Sequence, residues 1–270
     1  MKIACVQMET LPNRADENFS RAVALVCEAS KNQPDVILLP ETWNTGFAPD
    51  RLDPTQADDD GARTKSTFSA LAAELGVNIV AGSVTNRKAG GVYNTAYVFD
   101  RAGRCVCSYD KTHLFTPMDE DKTYQKGNSL ARFTLDGVSC ALIICYDLRF
   151  PELIRMLALP GLDVLFVVSQ WPETRISHLE VLSQARAIEN QMFVALCNSC
   201  GTAYETKFGG HSAVIDPWGA VLAQADDRQS IVFAEADWKI LRQIRSTIPV
   251  FRGRRPELYR QNDGKTFNFK

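Results

Sequence analysis

The chain has no apolar run long enough to cross a membrane. Its longest, at 35–39 and 162–168, are strand-sized and interrupted. It has no surplus of one charge either: 30 Lys and Arg face 32 Asp and Glu, a net charge of -2. Nucleic acid is therefore not expected as the main partner, because proteins that neutralise phosphates carry a clear basic excess. No Gly/Ser-rich linker and no internal repeat is visible, so residues 1–270 are expected to form one domain. No compositional extreme is present, and 45% hydrophobic and 23% charged residues exclude disorder, collagen and coiled coil. The first residues reach Gln7 and Glu9 before a signal-peptide core can form, so a cytoplasmic protein is expected.

What is present is enough chain to bury a full core and eight cysteines. Cys5, Cys140, Cys145 and Cys197 lie in or at the ends of apolar strands, which suits reduced thiols better than a disulfide framework. Strand and helix patterns alternate. Strands are expected at 3–8, 36–39 and 78–84. Phe19, Ala22, Val23 and Val26 form a helical stripe within 16–31, and a helix at 68–75 is closed by Gly76. Two hairpins follow, 92–100 with 104–110 and 131–135 with 138–144, the second turning at Asp136-Gly137. Helices at 151–159 and 175–190 alternate with strands at 163–168 and 192–198, and three strands near 211–216, 220–226 and 230–237 end the pattern. The fold class is α/β, a layered sandwich with helices on its outer faces. From 238 the chain reads as an arm. Between Arg242 and Arg260 six Arg stand against Glu257 alone, a net +5 that suits a solvated arm or one packed on a partner subunit.

Three residues draw attention to chemistry. Cys145 ends the apolar strand 138–144, and Pro151 opens a helix just beyond. Such an elbow lifts a nucleophile from the sheet and leaves backbone N–H groups nearby for a thiolate and an oxyanion. A buried structural cysteine is the plain alternative. Glu41 leaves the end of the run Val36-Ile37-Leu38-Leu39-Pro40, where ligands gather in open α/β sheets. Apolar walls there would raise its pKa toward that of a proton shuttle, though an exposed loop glutamate fits the position equally. Lys111 follows the strand 104–110. Its ammonium could hold Cys145 as thiolate, or it could be a surface lysine.

Together these residues resemble the nitrilase superfamily of carbon–nitrogen hydrolases. Leu38-Leu39-Pro40-Glu41, Tyr109-Asp110-Lys111-Thr112-His113-Leu114-Phe115 and Ile144-Cys145-Tyr146-Asp147-Leu148-Arg149-Phe150-Pro151-Glu152 are similar to its three motifs in order. Gly210-His211-Ser212 and Ile215-Asp216-Pro217-Trp218-Gly219 add to the likeness. The resemblance implies a four-layer-forming α-β-β-α sandwich that usually dimerises through helices flanking the site. It also implies a Glu41–Lys111–Cys145 triad, with the Tyr146 N–H and Lys111 holding the oxyanion. A second glutamate is implied too, at Glu120 or, with a register slip of one, at Asp119. Neither metal nor organic cofactor is implied. The expected reaction releases ammonia from a small amide through a thioester.

Within the superfamily, Met118-Asp119-Glu120, Ser169-Gln170-Trp171-Pro172 and Pro249-Val250-Phe251 look most like the ω-amidase type, which acts on 2-oxo acid monoamides such as 2-oxoglutaramate. The remote carboxylate of such a substrate asks for a cation, Arg175 first and Arg149 second, although Arg149 could instead brace the elbow through Asp147 or Glu152. Phe47, Phe115, Tyr146 and Trp171 could wall the pocket. N-carbamoyl compounds, nitriles and acyl transfer to an amine remain open, because one triad serves them all. Other classes are weaker. A Cys–His pair would need His113, His178 or His211 beside Cys145. A zinc-binding or redox module would rest on Cys105-x-Cys107, with both thiols on one strand face, or on Cys197-x-x-Cys200. A serine hydrolase fails because Gly137-Val138-Ser139-Cys140-Ala141 lacks the final glycine of the elbow motif.

Overall fold

The structure is a computed structural model and describes residues 1–259. In chain order the elements are β1 (Lys2–Gln7), α1 (Ala15–Ser30), β2 (Val36–Leu38), β3 (Asp58–Asp59), α2 (Ala62–Leu75), β4 (Asn78–Lys88), β5 (Gly91–Phe99) and β6 (Cys105–Asp110). There follow α3 (Glu120–Thr123), β7 (Arg132–Leu135), β8 (Val138–Ile144), α4 (Pro151–Ala158), β9 (Val164–Ser169), α5 (Ile176–Asn190) and β10 (Phe193–Asn198). The last are β11 (Cys200–Ala203), β12 (Thr206–Gly209), β13 (Ala213–Ile215), β14 (Val221–Gln224), β15 (Ser230–Glu235), α6 (Trp238–Thr247) and α7 (Pro256–Tyr259).

Two mixed sheets face each other. One runs β15-β1-β2-β4-β5-β6 with β3 beside β4, and the other runs β14-β13-β10-β9-β8-β7. In each, three central strands are parallel (β1, β2, β4 and β8, β9, β10) and the strands beside them pair antiparallel, except the short β3, which runs parallel to β4. Alternation along the strands decides the layers. Ile3, Cys5 and Leu38 meet Cys140, Leu142, Ile144 and Phe166 between the sheets. Ala4, Val6 and Ile37 turn outward to Phe19, Val26 and Phe68 of α1 and α2. Ala141, Ile143 and Leu165 turn outward to Leu153, Leu157 and Leu179 of α4 and α5. Both faces of the central strands are covered, which is why they read as continuous apolar runs. The result is the expected α-β-β-α sandwich.

Several local expectations are corrected. Helix α2 starts at Ala62, six residues before the expected Phe68, because its first turn is polar and is tied down by Asp58, which accepts from the Thr64 N–H at 2.8 Å. Gly76 caps it with φ +63°, the left-handed conformation that glycine adopts freely. The hairpin β11–β12, joined at Tyr204-Glu205, has no alternating apolar pattern and was not anticipated. Part of the arm is a helix: Trp238, Leu241 and Ile244 recur at helical spacing, the latter two buried, with Trp238 edge-on to Phe193 and Arg245 paired with Asp163 at 3.0 Å. That stretch packs on its own chain, and Arg260 lies outside the described residues. The thiols of Cys105 and Cys107 do not share a face. A bulge in β6 sets Cys107 opposite Val98, which faces the other sheet, and Cys105 opposite Phe99, which faces α2.

The buried thiols make stability sensitive to alkali. Burial pushes Cys5 and Cys140 from 9.0 up to about 12. Above pH 9 the unfolded chain therefore loses thiol protons that the folded chain keeps, so folding stability falls as pH rises. The slope approaches about 1.4 kcal/mol per pH unit for each such thiol. Urea midpoints should drop steadily between pH 9 and 10.5. Midpoints unchanged over that range would contradict the assignment.

Candidate active site

The three motif residues leave neighbouring strand ends. Cys145 follows β8 and opens a 3₁₀ turn, Cys145–Arg149, with φ +48° at the cysteine. A non-glycine residue held in this conformation is strained, and strain of this kind clusters at functional sites. Asp147 pins the turn. It is fully buried, and its carboxylate accepts from the Ile144 N–H at 3.1 Å, Tyr109 Oη at 2.8 Å and the His113 N–H at 3.0 Å. The loop carrying Lys111 is thereby tied to the elbow carrying Cys145. Arg149 does not brace the elbow. That role falls to Asp147 and to Arg186, whose guanidinium donates to the Leu148 carbonyl at 2.9 Å.

Glu41 sits three residues beyond β2. Its turn is held by the Ser83 N–H donating to the Pro40 carbonyl at 3.0 Å. Gly82 makes that approach possible: a Cβ there would stand 2.1 Å from the Pro40 oxygen. The walls around Glu41 are polar rather than apolar, contrary to expectation. Oε1 accepts from Lys111 Nζ at 2.9 Å and Asn94 Nδ2 at 2.8 Å, and Oε2 from the Gln170 N–H at 2.8 Å. Glu120, first residue of α3, holds Lys111 Nζ at 2.9 and 2.8 Å. Glu41, Lys111 and Glu120 are all fully buried. Asp119 turns away and pairs with Lys122 at the surface.

Burial alone would push the Lys111 ammonium down, but the Glu120 and Glu41 carboxylates outweigh it and hold its pKa well above the ordinary value. Burial raises Glu120, Lys111 pulls it back and Glu41 raises it again, with a net upward shift. Cys145 departs from the expected thiolate. Enclosure of the sulfur and the neighbouring Glu41 carboxylate push the thiol far up, and Lys111 offsets this only in part. Lys111 is already committed to two carboxylates, so it has little charge left to ionise the sulfur. The net push on Cys145 is toward the thiol form.

Beside Cys145 opens a pocket. Phe47, Phe115, Tyr146, Trp171, Arg149 and Arg175, all expected, line it, together with Met118, Gln170 and Pro172. The Arg149 guanidinium lies 4.8 Å from the Trp171 ring and that of Arg175 lies 5.1 Å from Phe115. Among the described residues neither arginine pairs with a carboxylate. The Tyr146 N–H is in the first turn of the 3₁₀ segment, where backbone donors have no intrahelical acceptor.

The histidines are engaged elsewhere: His113 Nδ1 meets Asp147 at 2.8 Å, His178 meets Arg149 at 3.2 Å and His211 meets Glu180 at 2.8 Å. Among the described residues no group of three or more His, Cys, Asp or Glu is arranged to hold a metal ion. The residues that sequence reasoning missed are Asn94 and Gln170, while Asp147, expected only as a partner for Arg149, pins the turn itself. A polar Asn94 inside the apolar strand Val92–Phe99 was the one signal on offer.

Comparison with known proteins shows the family. The carbon-nitrogen hydrolase family profile matches residues 2–246. A 2-oxoglutaramate amidase of Bacillus subtilis is 44% identical over 257 residues, covering 95% of this chain and 98% of that protein. The omega-amidase NIT2 of Homo sapiens is 32% identical over 267 residues, covering 96% of each chain. A CN-hydrolase superfamily protein from Xanthomonas campestris, with an arsenic adduct in its active site, superposes with a TM-score of 0.87. It is 30% identical, and the match covers 100% of this chain and 99% of that one.

Proposed function

The chain belongs to the carbon–nitrogen hydrolase family, acting on bonds other than peptide bonds, and on that premise we propose that it hydrolyses the terminal amide of 2-oxo acid monoamides. The observation that carries this reading is one pocket lined by Cys145 and by two arginines, Arg149 and Arg175. A substrate such as 2-oxoglutaramate has an amide at one end and a carboxylate at the other. Arg175, and behind it Arg149, would hold the carboxylate while the amide carbon meets Sγ.

Glu41 takes the thiol proton as Sγ bonds to the amide carbon. The oxyanion is held by the Tyr146 N–H, with the Lys111 ammonium supplying positive charge nearby. Glu41 returns the proton to the leaving nitrogen, the C–N bond breaks and ammonia departs, leaving a thioester. Water then gives a proton to Glu41 and attacks the thioester, and Cys145 recovers its proton as the acid leaves.

Ammonia release from 2-oxoglutaramate, succinamate, N-carbamoyl amino acids and nitriles tests the substrate class. Preference for the dicarboxylic monoamides is expected, and turnover of N-carbamoyl compounds alone would overturn it. Arg175→Leu should raise KM for 2-oxoglutaramate about 10- to 100-fold, the equivalent of one charged hydrogen bond, with kcat little changed. An unaltered KM would move the anchor to Arg149.

A homodimer belongs to the same proposal. Met156 on α4 and Val181 and Ile188 on α5 are exposed apolar residues on the helical face, and residues 248–259 of the arm are largely exposed. So does a cytoplasmic location: all eight cysteines are free, as suits a reducing compartment. No helix among the described residues is long and apolar enough to cross a membrane.

A further inference from the structure

Asn94 is the buried residue of the site that the reaction leaves without a task. It lies on β5, fully buried, and its backbone carbonyl accepts from the Lys111 N–H at 2.9 Å. Its Nδ2 donates to Glu41 Oε1 at 2.8 Å and to Glu120 Oε1 at 3.3 Å. Lys111 Nζ meets the same two oxygens, each at 2.9 Å. Two carboxylates therefore share one charged donor and one neutral donor. Chemistry fixes the orientation of the amide, since the flipped form would set its carbonyl against both carboxylates. Asn94 Oδ1 has no hydrogen-bond partner among the described residues. The side chain thus makes its hydrogen bonds to the carboxylates alone.

The acceptor sites can be counted. A carboxylate oxygen offers about two. Glu41 Oε1 is filled by Lys111 and Asn94. Glu120 Oε1 is filled by the same pair, and Glu120 Oε2 by Lys111 and the Phe115 N–H at 2.5 Å. Glu41 Oε2 accepts only from the Gln170 N–H, and keeps one site open. We propose that Asn94 is a positioning residue that fills Oε1 of both carboxylates and so reserves Glu41 Oε2 as the atom that takes the Cys145 proton. Glu120, with no open site, then serves as a fixed counter-ion for Lys111 and does not carry the proton. The inference rests on the amidohydrolase reading given above.

Asn94→Ala and the near-isosteric Asn94→Asp test it, with kcat, KM, thermal melting and the pH dependence of kcat/KM measured for each. The readout specific to positioning is the acid limb of kcat/KM, which should move to higher pH when the amide donor is lost. For Asn94→Ala a drop in kcat of about 10- to 100-fold is expected, with KM within twofold. For Asn94→Asp a third carboxylate faces the pair, and the acid limb should move up by about one pH unit or more. A purely structural role would lower the melting temperature and leave the limb in place. An unmoved limb in the variant that folds, or a kcat within twofold of the parent, overturns the proposal. Cys145→Ala measured alongside separates the two readings. If the parent releases no ammonia from the dicarboxylic monoamides, or Cys145→Ala releases it as fast as the parent, the cysteine amidohydrolase reading falls and this inference with it. If Cys145→Ala is inactive while the Asn94 variants behave as the parent, this inference falls alone.

Discussion

Glutamine at position 41 should leave a folded protein that releases ammonia about 10²- to 10⁴-fold more slowly, the usual range for a missing general base. The substitution keeps the shape but not the acceptor pattern. Glu41 receives three donors, two on Oε1 and one on Oε2. An amide must turn its oxygen to Lys111 and Asn94, which sets its NH₂ against the Gln170 N–H. That clash and the orphaned N–H should cost about 1–3 kcal/mol of stability. KM should change little, because Glu41 is not among the residues lining the pocket. Ammonia release and thermal melting check both halves. An active Glu41→Gln protein paired with an inactive His113→Ala protein would replace this mechanism with a Cys–His pair.

Lys111→Met should damage both activity and stability. The ammonium is the only charged donor between two fully buried carboxylates among the described residues. Removing one member of a buried ionic cluster costs about 3–5 kcal/mol, because the remaining charges lose their compensation. Loss of the positive charge beside the oxyanion should lower kcat by about 10²- to 10³-fold. The stability loss carries a pH signature. Without Lys111 the raised pKa of Glu120 rises further, since the ammonium is the group that pulls it back. The folded variant then binds a proton that the unfolded chain releases near its ordinary pKa. Stability is retained below that value and lost as pH rises through the folded one. Urea midpoints of Lys111→Met should therefore improve from pH 7 toward pH 5. A deficit equal at both pH values would rule out carboxylate repulsion as its cause.

Some of the site was legible because its signals are local. The apolar run Val36–Leu39 ending in Pro40-Glu41 and the strand 138–144 ending at Cys145 each show which residue emerges at a strand end. The pocket aromatics and arginines were legible only through resemblance, since nothing in their spacing brings 47, 115, 146, 149, 171 and 175 together. Asn94 and Gln170 escaped because their partners are 53 and 129 residues away along the chain. The shared face assumed for Cys105 and Cys107 failed for a related reason. Periodicity assumes an unbroken strand, and a bulge is set by pairing with the neighbour.

Sequence by itself determined the layering, through the order of strands and helices and the stripes along helices, and it determined which side chains stand at the ends of the central strands. These are properties of successive residues, and backbone geometry alone converts them to direction. Tertiary structure decided the charge state of the site. Whether Cys145 rests as thiol or thiolate depends on how the Lys111 ammonium is divided among carboxylates. That division depends on distances and desolvation across strands remote in the chain, and electrostatics at close range in a dry interior follows position, which composition does not encode.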